Sequence, residues 1–153
     1  MNPQFDEYLA SIGINHRFYE RVEEVYAFYD GLLKEGGLSG EEIQDIFVTD
    51  YVDAEGRRNY ESLWLFTPSY VMEAKQFLSE NNFDFTLLKD CVRLWRIKKR
   101  DYDFRKAEPE SRMYLELSLA QGAACVLKAS QENCDYLRDI FLKYILPNVV
   151  RNS

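Results

Sequence analysis

Residues 63–78 read LWLFTPSYVMEAKQFL, and the fold turns on what the chain does at Thr67-Pro68-Ser69. A turn there would join two strands into a hairpin. Alternatively, Thr67 would cap a helix with Pro68 in its first turn, a favoured place for proline, and the helix formers Met72, Glu73, Ala74, Lys75 and Gln76 would continue it. The first choice builds a meander of antiparallel strands. The second builds a strand-then-helix unit.

Upstream of this stretch, residues 46–52 (IFVTDYV) and 59–66 (NYESLWLF) are β-rich and flank a turn, Asp53-Ala54-Glu55-Gly56, so they read as a hairpin. Residues 39–42 (SGEE) have capping-box spacing and predict a short helical turn through about Asp45. Farther back, Phe5, Tyr8, Leu9 and Ile12 share a helical face that stops at Gly13. Asn15 is placed to cap a second helix in which Phe18, Val22, Val25, Tyr29 and Leu32 form a stripe, widened by Tyr26 and Leu33 and ended by Gly36-Gly37.

Downstream, residues 83–88 form a short extended run, residues 91–100 (CVRLWRIKKR) a strand, and residues 101–104 its continuation after a kink or turn. A period-2 pattern follows: Met113, Leu115, Leu117 and Leu119 alternate with Tyr114, Glu116, Ser118 and Ala120. Gln121-Gly122 turns this strand into residues 123–129. Ser130 is then placed to cap a closing helix striped by Cys134, Leu137, Phe141 and Tyr144 and ended by Pro147. The expected class is α+β: a curled antiparallel sheet or barrel of about six to seven strands, closed by a C-terminal helix and preceded by N-terminal helices. Short links between successive strands exclude a mainly parallel sheet, whose crossovers need about a dozen residues or more. Residues 1–38 read as a helical extension and 39–153 as one folding unit.

With 153 residues, 46% of them apolar and 15% aromatic, the chain is long enough for a substantial core. The longest apolar run is a few residues and the N-terminus MNPQFDEYLAS is acidic, so a soluble, cytoplasmic protein is expected. The net charge of −7 is unevenly spread, with 5 basic and 14 acidic side chains in residues 1–61 against 14 and 12 in the remainder. That distribution argues against general nucleic-acid binding, which needs a concentrated positive surface.

The segment from Glu42 to Leu146 resembles a pleckstrin-homology-like domain, of the kind that includes the GRAM and bacterial PH-like families. The likeness lies in EIQDIFVTDYV followed by SLWLFTPSYVMEA, in FDFTLLKDCVRLWRI, and in SRMYLELSLAQGAACVLKASQENCDYLRDIFLKYI, and it covers about two thirds of the chain. It implies a hairpin at Thr67-Pro68-Ser69. In family members that bind inositol phosphates, basic residues near the first hairpin loop clamp the phosphates, which carries over here to Arg57 and Arg58. The same loop holds Asp53 and Glu55, which oppose an anion.

A second basic cluster, RIKKRDYDFRK, contributes Arg96, Lys98, Lys99 and Arg100 as candidate anion- or partner-binding residues. On the second helix, Phe18, Tyr19, Tyr26, Phe28 and Tyr29 surround more of its circumference than one face can bury. They are candidate interface residues, with a homodimer as the commonest form of such contact. His16 is the sole histidine and has no neighbouring nucleophile motif; no metal-ligand spacing occurs; Cys91, Cys125 and Cys134 fall in apolar patterns as reduced thiols.

No enzyme and no cofactor are therefore expected. The reading is a binding or adaptor module that recognises a protein or peptide partner through a strand edge or the groove beside the closing helix. A small acidic dimeric chaperone for a secretion substrate is the alternative, and it requires helix over residues 68–81. Binding of an anionic lipid headgroup is the second alternative.

Overall fold

A computed structural model describes residues 1–38, 40–88, 91–100, 112–119 and 124–151, with the backbone alone for 86, 91–100, 112, 114, 116–119, 124, 150 and 151. The chain divides into two compact units, Met1–Val48 with Glu61–Thr86, and Thr49–Tyr60 with Leu87–Ser153. The expected α+β class holds.

The first unit opens with α1 (Pro3–Ser11), capped by the Asn2 carboxamide, which accepts a hydrogen bond from the Gln4 amide. Helix α2 (His16–Glu35) starts at Asn15, whose side chain accepts from the Phe18 amide at 3.1 Å. Its buried stripe is Val22, Val25, Tyr29 and Leu33. The stripe is rotated from the expected one: Phe18 and Tyr26 are half-buried and Leu32 is exposed. Leu33 instead follows Tyr29 at i+4, which keeps the apolar face on one line of a 3.6-residue helix. The expected helical turn after Gly40 is absent. Residues 41–44 are irregular, and the Glu41 carboxylate accepts from the Ser69 amide rather than from its own segment.

A four-stranded sheet runs in the order β1 (Asp45–Val52), β2 (Arg58–Phe66), β3 (Tyr70–Lys75), β4 (Asn82–Leu87). The stretch at residues 63–78 is therefore a hairpin. Phe66 pairs with Val71 and Ser62 with Lys75, in one unbroken antiparallel register. Thr67 closes the turn locally, because its amide donates to the Tyr70 carbonyl at 2.9 Å and its hydroxyl accepts from the Tyr70 amide at 3.0 Å. Burial decides against the helix: Val71, Met72 and Ala74 are buried along β3, and that packing outweighs a helix propensity worth a few tenths of a kcal/mol per residue. Gln76, with φ 50°, then ends the strand.

Helices and strands of this unit are tied by specific contacts. The Tyr8 hydroxyl accepts from the Val48 amide at 2.9 Å, and the Tyr8 and Phe47 rings stack. Arg21 of α2 donates to the Phe77 and Glu80 carbonyls and to the Asn81 side chain, so one guanidinium fastens the β3–β4 link.

The second unit contains the distal ends of β1 and β2, with their turn at residues 53–57, and a three-stranded antiparallel sheet. The sheet's order is β5 (Cys91–Arg100), β6 (Arg112–Leu119), β7 (Ala124–Ser130). Met113, Leu115, Leu127 and Ala129 are buried on it. The expected strand continuation at residues 101–104 lies outside the described residues. Among the described residues no single sheet reaches six to seven strands and the ladders form two sheets, so the expected barrel is corrected to two open sheets. Closure would require hydrogen bonds joining the sheet edges, and none is formed among the described residues.

Closing this unit is one helical stretch, α3 (Asn133–Ile140), a π-helical segment (Phe141–Ile145) and α4 (Leu146–Arg151). Two expectations fail here. Ser130 does not cap the helix, because it is the last residue of β7 and its hydroxyl donates to Asp50. Pro147 does not end it either. The Leu146 amide reaches back to the Phe141 carbonyl, the wider turn of a π-helix, just before the proline that has no amide to give. The Asn148 side chain donates to the Tyr144 carbonyl at 2.7 Å, satisfying an acceptor in the irregular turn.

Candidate functional site

The last strand of the four-stranded sheet, β4, has the sequence NFDFTL and, among the described residues, only β3 as a strand neighbour. Its outer row of backbone donors and acceptors is the open edge of the sheet. Strand alternation sets Phe83 and Phe85 on one face and Asp84 on the other. Phe83 stacks on Phe28 of α2 with ring centroids 4.7 Å apart. Phe85 meets Tyr29 edge-on at 5.1 Å and Tyr70 at 5.8 Å.

Despite these contacts Phe28 remains 45% exposed and Phe85 47%. Leu32, one turn after Phe28, is exposed as well. An aromatic and aliphatic patch thus borders a strand whose outer edge is open among the described residues. By contrast the sheet's other edge strand, β1, is buried along most of its length. Such a strand beside such a patch can take up an extended segment, backbone to backbone, with side chains lodged on the rings.

Around the patch the charges are negative or already paired. Lys75 bonds Asp84 at 2.9 Å, Lys34 bonds Asp30 at 2.8 Å, and Arg21 bonds Glu24 at 3.1 Å. Glu41 is held below its ordinary pKa: burial would raise it, but hydrogen bonds from Ser69 and Thr67 outweigh that. The first unit carries 14 acidic and 4 basic side chains, a balance of −10, whereas the second carries 12 and 15.

Of the aromatic residues singled out on α2, only Phe28 presents a largely open face. Tyr29 is fully buried, and its hydroxyl makes no hydrogen bond of normal geometry. Burial pushes its pKa up to about 12, against the opposing pull of the nearby Thr67 hydroxyl. The Tyr19 hydroxyl donates to Asp6 at 2.6 Å, and that bond, with burial and the Asp6 charge, also raises its pKa to about 12. Tyr26 sits edge-on to Phe5 and Phe18 is half-buried. Sequence reasoning overlooked Phe83 and Phe85. The alternation of Phe, Asp, Phe after the break at residues 79–82 was the available signal.

The basic candidates are dispersed in role. Arg57 is exposed, but its backbone closes the turn with Asp53. Asp53 is itself held low by hydrogen bonds from Arg57, Asn59 and Glu55. Arg58, whose side chain is 18% exposed, is committed to Asp50 at 2.8 Å and to Glu132. A guanidinium held by two carboxylates is not open to a phosphate. Arg96, Lys98, Lys99 and Arg100 lie on β5, opposite Glu116, Tyr114, Met113 and Arg112 in the backbone register. Their side chains lie outside the described residues.

His16 is 87% exposed and pairs with Glu20 at 3.1 Å, an i, i+4 contact on the helix surface. Cys134 is buried and its thiol donates to the Ala129 carbonyl; Cys125 is half-buried, and the Cys91 side chain lies outside the described residues. Among the described residues, no group of His, Cys, Asp and Glu is arranged to hold a metal ion, and no helix is long and apolar enough to cross a membrane. Comparison with family models, curated proteins and solved structures gave no match.

Proposed function

We propose that the chain is a non-enzymatic recognition module, similar to pleckstrin-homology-like domains in the order of its elements, that binds an extended segment of a protein partner along β4. The observation that carries this reading is the open edge of β4 beside the exposed rings of Phe28 and Phe85. The element order supports the likeness: a four-strand meander, a three-strand meander and a closing helix follow one another. Strand addition draws affinity from main-chain hydrogen bonds and selectivity from the flanking side-chain sites, so it requires no cofactor. The chaperone alternative needed helix over residues 68–81, where β3 stands, and so loses its support.

Selection of binders from a random peptide display library on the immobilised protein, followed by amide exchange, tests this proposal. Binders that slow exchange at residues 82–87 are the expected result. Binders that protect only residues beside the closing helix, or a library that yields none, would overturn it.

A further inference from the structure

The structure assigns the β4 edge to a basic partner: we infer that its ligand is an extended segment in which Lys or Arg alternates with apolar or aromatic residues. This rests on the strand-addition reading above and adds the chemistry of the occupant. An open apolar edge admits two ready occupants, a second copy of this chain or a foreign peptide. Charge separates them.

Two copies meeting at β4 would bring together two units of balance −10 each. Each copy of Asp84, with its side chain 58% exposed, would lie at that edge. Like charges set opposite each other across paired strands destabilise the pairing. Lys75, Lys34 and Arg21 offset only one carboxylate each, Asp84, Asp30 and Glu24 in turn, and the balance of −10 already counts them, so an acidic excess remains. A segment bearing Lys or Arg reverses every one of these terms.

Period-2 alternation then sorts the partner's side chains. Those facing the Phe85 and Phe28 side meet rings whose faces attract apolar groups and cations alike. Those on the opposite side meet Asp84, whose carboxylate is shared with Lys75. Glu24, paired with Arg21, and Glu35 flank Phe28 and Leu32 along α2, so carboxylates border the rings there too. The recognition element is therefore backbone pairing plus an acidic border.

The test uses the full chain and three capped, fluorescein-labelled peptides that alternate Val or Phe with Lys, with Glu or with Ser. Binding is followed by anisotropy and mapped by amide shifts, with sedimentation of the protein alone at increasing concentration. We expect the Lys peptide to bind at least about tenfold tighter than the Glu peptide, and to weaken as salt shortens the Debye length from about 10 Å to about 3 Å. Asp84→Lys, which also breaks the exposed ion pair with Lys75, should narrow the preference about tenfold while moving the thermal transition only slightly. Phe28→Ser should weaken all peptides equally.

Equal binding of Lys and Glu peptides at β4 would overturn the charge assignment while leaving strand addition standing. So would a concentration-dependent dimer that protects residues 82–87. Tight Lys-peptide binding that leaves residues 82–87 unshifted would sink the assignment of site and of charge together.

Discussion

Asp50, 1% exposed, accepts four hydrogen bonds within the second unit. The Ser130 amide and the Asn133 side chain reach one carboxylate oxygen, and Arg58 and the Ser130 hydroxyl the other. One side chain thereby joins β1, β2, β7 and the start of α3. A buried carboxylate is tolerated only when paired and saturated with donors, a condition met here. Replacing Asp50 by Ala leaves Arg58 to Glu132 alone and takes the acceptor from three further donors, and we expect a loss of about 3 kcal/mol in urea unfolding. An Ala variant as stable as the parent would mean that water serves those donors equally well. Tyr29 presents the opposite case, a buried hydroxyl with no good partner. Its pKa of about 12 against about 10 in the unfolded chain favours the neutral phenol in the fold. The stability from this difference is complete below pH 10 and is lost as pH rises from 10 toward 12. Tyr29→Phe removes the ionisable group, so we expect stability within about 1 kcal/mol of the parent at neutral pH and a shallower alkaline decline. Urea midpoints measured from about pH 9 to about pH 11.5 decide it, and an unchanged slope would refute it.

At the scale of elements, what could be read in advance was what local chemistry dictates. Asn15 capped α2 as its carboxamide required, residues 91–100 formed the expected strand, and alternation at Met113 and Leu115 marked the buried face of β6. Misreadings arose where a polar group chose a distant partner. Residues 39–42 had capping-box spacing, yet Glu41 within them bonds Ser69, 28 residues away, and the Ser130 hydroxyl bonds Asp50 across 80 residues. Spacing along a chain reports only neighbours in sequence, so such choices are invisible to it. Residues 70–75 show the same limit in energetic form. Their helix propensity is a local quantity, whereas burial of Val71, Met72 and Ala74 exists only once β2 lies alongside. Pro147 was misread because a proline rule written for α-helices does not anticipate a π turn that frees the acceptor first. The candidate site was legible in part: Phe28 was visible as a surplus aromatic on α2, but its meaning came from Phe83 and Phe85, which a topology had to bring beside it.

On the scale of the whole molecule, the division into two units cuts through strands instead of linkers. β1 leaves the first unit at Val48 and β2 returns to it at Glu61, so the hairpin is shared by covalent continuity. A strand cannot keep its ladder at one end while the other end unfolds without loosening the register between them. We therefore expect one cooperative transition despite two compact units. The two tryptophans suit the test, because Trp64 lies in the first unit and Trp95 in the second. Single-tryptophan proteins made by Trp95→Phe and Trp64→Phe report on each unit separately in urea. Each variant's fluorescence transition should coincide with its own far-UV circular dichroism transition, since a two-state fold shows every probe the same equilibrium. Trp64 is buried, so Trp64→Phe will shift its own midpoint through lost packing, and the comparison is made within each variant for that reason. A fluorescence midpoint more than about 0.5 M from the dichroism midpoint in either protein, with slopes below those of a chain this size, would show units that unfold in turn. In that event strand addition at β4 would stabilise the first unit alone.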